Sequence, residues 1–320
     1  MNAEKVRIVT YLADVHSVEL QALAQMRLAP RVLADAQLAD LFREHGRETE
    51  EHERLVQEQL RSRQARPSAV KDLAGRVGGW GMILFARMNP DTAGKLVAHA
   101  FSYEHMELAA YELLRRAAEV GDEPAIAQAA GFIGDQERLM ADRLQRQWPR
   151  ALDAALREKG DVDLSSEVAK YLRDAHALES QSLQLLRSAR SIVDEPSLAA
   201  VFARHEVQTR GHLRLLAARL AELGAHPARL QDAALRAGAV ALAAFFGAQP
   251  DTPVKLAGFA YAFEALEQAG YGLLALTARR AGDEPTARLA EQIMAEELRA
   301  AESIAGCWDA VTAFVADRGA

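Results

Sequence analysis

The nine residues from Tyr103 to Tyr111, YEHMELAAY, place Glu104 and Glu107 one helical turn apart inside a long apolar segment. On a helix, residues three positions apart share a face and lie about 5 Å apart along the axis, so both carboxylates point the same way. The same face carries apolar neighbours, among them Leu96, Leu108 and Leu114. Carboxylates on a buried stripe are costly unless they are paired or bind a cation. The segment therefore predicts a compensating group, with a metal ion as the first candidate.

A second copy of this segment lies in the other half of the chain. FEALEQAGY, from Phe263 to Tyr271, repeats both glutamates as Glu264 and Glu267. The stretches 11–23 and 171–183 are identical at just over half of their positions, and the stretches 90–114 and 250–274 at nearly half. Repetition of this length indicates two copies of one folding unit. We predict domains at residues 1–158 and 165–320, joined by the polar segment around Gly160.

The elements that must position these residues are helices. Half of the residues are hydrophobic but only 6% are aromatic, and helix formers dominate, which favours an all-α fold. The first helix is predicted from about Glu4 to Leu28, ending before Pro30, and the second from an N-cap at Asp35 to about Gln64. GDEP at 121–124, which recurs at 282–285, predicts Asp122 as the N-cap of the fourth helix.

The connection between the second and third helices is too long for a tight turn. About 25 residues, including four glycines around Trp80, separate the two helices, and Asp91 or Thr92 is predicted to cap the third. A connection of this length lets the two helices run parallel. The fold class is therefore predicted to be all-α, with two tandem four-helix bundles that each contain a long crossover between helices two and three.

Composition limits the classes of partner. The net charge of −7 argues against nucleic acid and anionic membrane surfaces, because both require a basic excess. A lone cysteine, Cys307, excludes an intramolecular disulfide and a thiolate zinc site. The start of the chain lacks the apolar core of a signal peptide, and its most apolar stretches are too short for a bilayer, so a cytoplasmic protein is expected.

In each copy, the polar residues on otherwise apolar helix faces form one set. The candidate metal ligands of the first copy are Glu19, Glu48, Glu51, His52, Glu104, Glu107 and Glu137, and those of the second are Glu179, His212, Glu264, Glu267 and Glu297. Carboxylates from four helices with nearby imidazoles match a carboxylate-bridged dinuclear centre. Oxygen ligands with imidazole suit iron or manganese, and zinc stays open. Taken singly, a glutamate on a helix is more often a solvated or salt-bridged surface residue than a metal ligand. In the second helix, Arg43, Arg47 and Arg54 could pair with the acids.

The motifs HGRET with His52, YEHMELAAY, YLRDAHALESQSL and the final AEEL resemble the bacterial ferritin-like family named after YciE and YciF. The resemblance covers nearly the whole chain, twice. It implies a ferritin-like four-helix bundle with a dinuclear metal site and an association with stress responses. The matching ligands are Glu19, Glu48, Glu104, Glu107, Glu137, Glu179, Glu264, Glu267 and Glu297. Gln208 and Ala265 depart from the pattern, which has Glu and His there.

The leading hypothesis is a protein that binds iron or manganese and handles metal or oxidants, with oxygen or peroxide as reaction partners. The alternative is a metal-free helical scaffold or protein-interaction module. Because family members are typically dimeric single copies, the chain is expected to be a monomeric pseudo-dimer or a homodimer. Since Gln208 replaces a carboxylate, we also expect the first copy to bind metal better than the second.

Overall fold

The computed structural model describes residues 3–65, 92–228 and 251–318, together with 232–233, 235–236, 238–240 and 246–247. Within these residues the chain is helical and contains no strand, so the predicted all-α class is confirmed. The ranges 3–65, 92–228 and 251–318 form ten helices, which are α1 (Ala3–Val32), α2 (Ala36–Ser62), α3 (Thr92–Val120), α4 (Pro124–Arg146), α5 (Trp148–Lys159), α6 (Leu164–Ala189), α7 (Pro196–Glu222), α8 (Thr252–Arg280), α9 (Glu284–Ala305) and α10 (Trp308–Arg318).

The chain divides into two compact units, a first unit of Met1–Gly160 and a second unit of Asp161–Arg318. Within the described ranges, each unit has four long helices and a short helix that begins at a buried tryptophan. The Trp148 ring meets Phe101 edge-on at 5.3 Å, and the Trp308 ring meets Tyr261 at 5.6 Å. The predicted domain bounds, 1–158 and 165–320, stay a prediction.

Contacts between side chains fix the direction of α2 relative to α3. His45 lies beside Glu104, and two turns later His52 lies near Glu19, which accepts a hydrogen bond from Tyr111. Beyond their final turns, Arg63 pairs with Glu123 at 2.6 Å. The two helices therefore run parallel, as in ferritin-like bundles with one long crossover. The glycine-rich segment around Trp80, and the predicted cap at Asp91, lie outside the described residues.

The second unit repeats this arrangement. His205 lies beside Glu264, His212 lies beside Glu179, and Tyr271 donates a hydrogen bond to Glu179 at 2.5 Å. The chain thus forms two tandem ferritin-like four-helix bundles, as the fold-class prediction states.

Three helix ends test the local predictions. Asp35 caps α2 as predicted, because its Oδ1 accepts from the backbone N–H of Leu38 at 3.1 Å. The predicted end of the first helix is wrong, since α1 continues to Val32 with Pro30 inside it. A proline this close to the end removes only one intrahelical hydrogen bond, and buried Ala29 and Leu33 hold the last turn against the core.

Asp122 does not cap α4. It takes the left-handed conformation, with φ of 53°, and α4 begins after Glu123. In the second unit Gly282, which lies at the sequence offset that relates the two copies, takes this conformation with φ of 72°, and Asp283 caps α9. The two GDEP motifs are thus out of structural register by one residue. The left-handed position occurs in both turns, filled by aspartate in one and glycine in the other.

Candidate metal centre

Four glutamates from three helices meet in the core of the first unit. Glu104 and Glu107 come from α3, Glu19 from α1 and Glu137 from α4, and all four side chains are fully buried. The neighbouring α3 positions are apolar, so the face that carries the glutamates must turn inward. The carboxylates predicted from their spacing therefore do lie together.

Two histidines from α2 complete this cluster. His45 groups with Glu104, Glu107 and Glu137, and His52 groups with Glu19 and Glu137. Within each group the donor atoms lie within 4.8 Å of one another, and Glu137 belongs to both groups. The arrangement offers two adjacent cation positions with one shared carboxylate.

Each histidine turns one nitrogen into the cluster and the other outward. His45 Nε2 lies 3.2 Å from Glu104 Oε2 and 3.5 Å from Glu137 Oε2, while its Nδ1 lies 3.0 Å from Glu48 Oε2. His52 Nδ1 lies 2.7 Å from Glu137 Oε1, while its Nε2 lies 2.7 Å from Gln136 Oε1. When the outward N–H donates to these oxygens, the inward nitrogen keeps its lone pair and can bind a metal.

The inward atoms of the cluster lack hydrogen bonds. Both oxygens of Glu104, Glu107 and Glu137, Oε2 of Glu19, Nε2 of His45 and Nδ1 of His52 are buried without one. A buried polar atom without a partner costs about 1–3 kcal/mol, and a charged one costs more. The ion pairs between the histidines and the carboxylates offset part of this cost, but the Glu107 oxygens have no hydrogen bond, and a bound cation would be a partner for them.

The second unit carries the same cluster. His205 groups with Glu264, Glu267 and Glu297, and His212 groups with Glu179 and Glu297. The distances agree closely: 3.1 Å from His205 Nε2 to Glu264 Oε2, and 2.8 Å from His212 Nδ1 to Glu297 Oε1. All six residues follow their counterparts in the first unit at one constant sequence offset.

Both units match one family model, described as "Domain of unknown function (DUF892)", over residues 7–157 and 167–315. The chain belongs to this family. No curated protein and no solved structure matches the chain. The DUF892 family is of the ferritin-like type, which agrees with the observed bundles. Its description assigns no activity, so the chemistry of the site must be argued from these residues.

Burial and mutual repulsion raise the pKa values of three clustered glutamates of this DUF892 chain, whereas at Glu137 the hydrogen bond and charge of the histidines outweigh burial and lower the pKa. Burial, with the Glu137 charge next, raises the pKa of Glu19 to about 8 despite His52 and Tyr111. Burial raises the pKa of Glu104 to about 7 although His45 opposes the shift. Burial, followed by the charges of Glu137, Glu19 and Glu104, raises the pKa of Glu107 well above the usual range. Divalent cations would displace these protons.

A tyrosine one turn after each glutamate pair also contacts the site. Tyr111 donates its hydroxyl hydrogen bond to Glu19 Oε1, and Tyr271 does the same for Glu179. Both rings are buried. The hydroxyl orients one oxygen of the glutamate and leaves the other, Oε2, without a hydrogen bond.

Two predicted ligands of the first unit, Glu48 and Glu51, lie outside its two groups of donor atoms. Glu51 is exposed and forms an ion pair with Arg54. Glu48 is half-buried, with one oxygen at His45 Nδ1 and the other 3.5 Å from Arg143. Glu51 therefore cannot join the cluster, and Glu48 contacts it only through His45. The other ten predicted site residues belong to the four groups.

Sequence reasoning missed His45 and His205 as members of the clusters. Each lies seven positions before a histidine that was predicted, which is nearly two helical turns, so both histidines of a unit share one face. That spacing is the signal that identifies them.

The donor set suits a pair of divalent cations. Four carboxylates and two imidazoles is also the composition of the ferritin-like dinuclear carboxylate sites, although here α2 or α7 supplies both histidines. Four negative charges balance two doubly charged ions when both imidazoles are neutral. The residues therefore fit a dinuclear centre in charge, donor type and burial.

Proposed function

We propose that each unit binds a pair of iron or manganese ions, with zinc as a third candidate, and that the protein handles metal or oxidants. One observation carries the proposal: in both units, buried carboxylates and imidazoles bring their donor atoms within 4.8 Å of one another. Hard oxygen donors combined with imidazole favour iron and manganese.

In the first unit, His45 and Glu104 would hold one ion and His52 and Glu19 the other, with Glu137 shared. A bound pair of such ions would supply Lewis acidity and electron transfer to oxygen or peroxide. The chain itself contributes a dry, enclosed site, because all of these side chains are buried. Tyr111 holds a proton at Glu19 Oε1 and so orients the carboxylate toward the ion that it would bind.

The role in stress responses, the relation to YciE and YciF and a cytoplasmic location remain parts of this proposal. Among the described residues, no helix combines the length and apolar composition needed for a membrane span. Two oligomeric states agree with the duplicated bundle, a homodimer and a monomeric pseudo-dimer. The first copy is expected to bind metal better because the second copy has Gln208 at the position of Glu48. Since Glu48 is not in the cluster, this difference removes no clustered ligand, and we propose a metal centre in both units.

The competing function is that of a metal-free scaffold or protein-interaction module. It requires the clustered acids to be held by protons and by the histidines of the cluster alone. The orphaned oxygens of Glu107 and Glu267 count against it, since these four atoms are buried without a hydrogen bond.

Metal analysis of the full chain separates the two functions. Chelator-treated protein is loaded without oxygen with Fe²⁺ or Mn²⁺, desalted and assayed for bound metal, then exposed to oxygen or peroxide while its absorption and the oxidant concentration are followed. We expect up to four ions per chain, with Glu104→Ala and Glu264→Ala each removing the ions of its own unit. Glu51→Ala is the control and should lose none. Absence of bound metal in the wild-type chain would favour the scaffold.

A further inference from the structure

The outward nitrogens of the site histidines have partners of two chemical types. In the first unit His45 Nδ1 faces the carboxylate of Glu48 at 3.0 Å, whereas His52 Nε2 faces the amide oxygen of Gln136 at 2.7 Å. One histidine is thus backed by a charged acceptor and the other by a neutral one.

The second unit reverses these partners. His205 Nδ1 faces the amide oxygen of Gln208 at 3.4 Å, whereas His212 Nε2 faces the carboxylate of Glu296 at 2.9 Å. Gln208 occupies the position of Glu48, and Glu296 that of Gln136, at the same sequence offset as the clustered residues. The carboxylate has therefore moved from one histidine to the other while the six clustered residues are unchanged.

The type of partner matters for a metal ligand. A carboxylate that accepts the outward N–H makes the inward nitrogen a stronger donor and offsets the charge that the ring acquires from the metal. An amide oxygen orients the ring but brings no charge. The 3.4 Å separation at His205 is also long for a hydrogen bond, so Gln208 orients its ring weakly.

We propose that Glu48 and Glu296 are positioning residues that set which of the two metal positions fills first, and that this order is opposite in the two units. The His45 position fills first in the first unit, and the His212 position fills first in the second. The inference rests on the proposed metal centre but not on any reaction of it.

Substoichiometric loading of the full chain with Co²⁺ tests this order directly. Metal-free protein is given one equivalent of Co²⁺ per unit and crystallised, and anomalous scattering measures the occupancy of each position. The swap variant Glu48→Gln with Gln136→Glu gives the first unit the partners of the second. We expect its first-bound ion to move from the His45 to the His52 position, while the second unit keeps its order as an internal reference.

Single variants give a second measurement. Glu48→Gln should weaken the first Co²⁺ of the first unit by about 10–100-fold in a calorimetric titration, the usual cost of losing such a partner. The second unit has glutamine at this position, so the fold tolerates the change. Glu51→Gln, the same change at an exposed residue, should leave affinity and order unchanged.

The outcomes separate this inference from the proposed function. Wild-type protein without Co²⁺ at either position would overturn both. Bound Co²⁺ that fills the two positions equally, fills the same position in both units, or keeps its order in the swap variant would overturn the positioning role alone, with the metal centre intact.

Discussion

Glu107 is the clustered carboxylate of the first unit with the least support in the metal-free protein. Its oxygens have no hydrogen bond, and burial followed by the charges of Glu137, Glu19 and Glu104 raises its pKa well above the usual range. Burial and these charges therefore favour the protonated form of Glu107, and glutamine is close in shape to a protonated glutamate. We predict that Glu107→Gln, made together with Glu267→Gln, changes the unfolding free energy of the metal-free protein by less than about 1 kcal/mol, the size of one hydrogen bond.

The same substitutions should greatly weaken metal binding. A unit charge 4 Å from another contributes about 4 kcal/mol at an effective dielectric constant near 20, equivalent to roughly a thousandfold in affinity. With free metal at about 1,000 times the wild-type Kd, metal binding raises the unfolding free energy of the wild-type protein by about 4 kcal/mol, but that of the variant by only about 0.4 kcal/mol. For units of this size the Tm rises by about 8–16 °C in the first case and about 1–2 °C in the second.

Scanning calorimetry of chelated and Mn²⁺-loaded samples measures both effects. Glu51→Gln is the control, because Glu51 is exposed and pairs with Arg54 outside the cluster. The reasoning would be refuted if the double variant lowered the Tm of the chelated protein as much as that of the loaded protein, or if it kept the wild-type response to metal.

Three further predictions follow from named contacts. The pKa values of Glu19 and Glu104 are raised to about 8 and about 7, so their stabilising contribution is complete below pH 4.5 and is lost as pH rises through those values. The Tm of the chelated protein should therefore fall between about pH 5 and pH 9, and a rise in Tm would contradict the prediction. Tyr111→Phe should cost about 1–3 kcal/mol in urea unfolding and alter metal affinity; Tyr103→Phe, whose hydroxyl donates to the Val18 carbonyl, should leave affinity unchanged. Asp35→Ala should cost about 1–2 kcal/mol through the lost cap of α2, with bound metal unaltered.

The glutamates of α3 and α8 could be predicted because their signal is local. An acidic pair in an apolar segment has one plausible direction, whatever packs against it, and its repetition in the second copy makes the pattern harder to ascribe to chance. The helical fold followed from composition and periodicity in the same way. Connections between helices were less predictable, since the turn before α4 shifts the GDEP motif by one residue without moving the helix.

α2 shows why part of the site was missed. Its segment EHGRETEEHER is charged on every side, so the inward face depends on the phase set by apolar residues further away. The buried stripe runs through Leu38, Phe42, His45, Thr49, His52, Val56 and Leu60. Glu48 and Glu51 each precede a stripe position by one residue and turn about 100° away from it. When the helical period of the apolar residues is followed from Phe42 to Val56, His45 rather than Glu48 falls on the buried face.

The two copies also show what the site requires beyond its ligands. Glutamate and glutamine exchange places behind the histidines, yet each unit keeps four clustered glutamates and one glutamate behind a histidine. The number of glutamates at the site is therefore equal in the two units, although the position of one of them differs. A scaffold held together by protonated acids would gain nothing from this balance, because a neutral amide orients a histidine without adding charge. The proposed pair of cations would account for it, since the total charge would govern how strongly they bind, while the location of the charge would govern which position binds first.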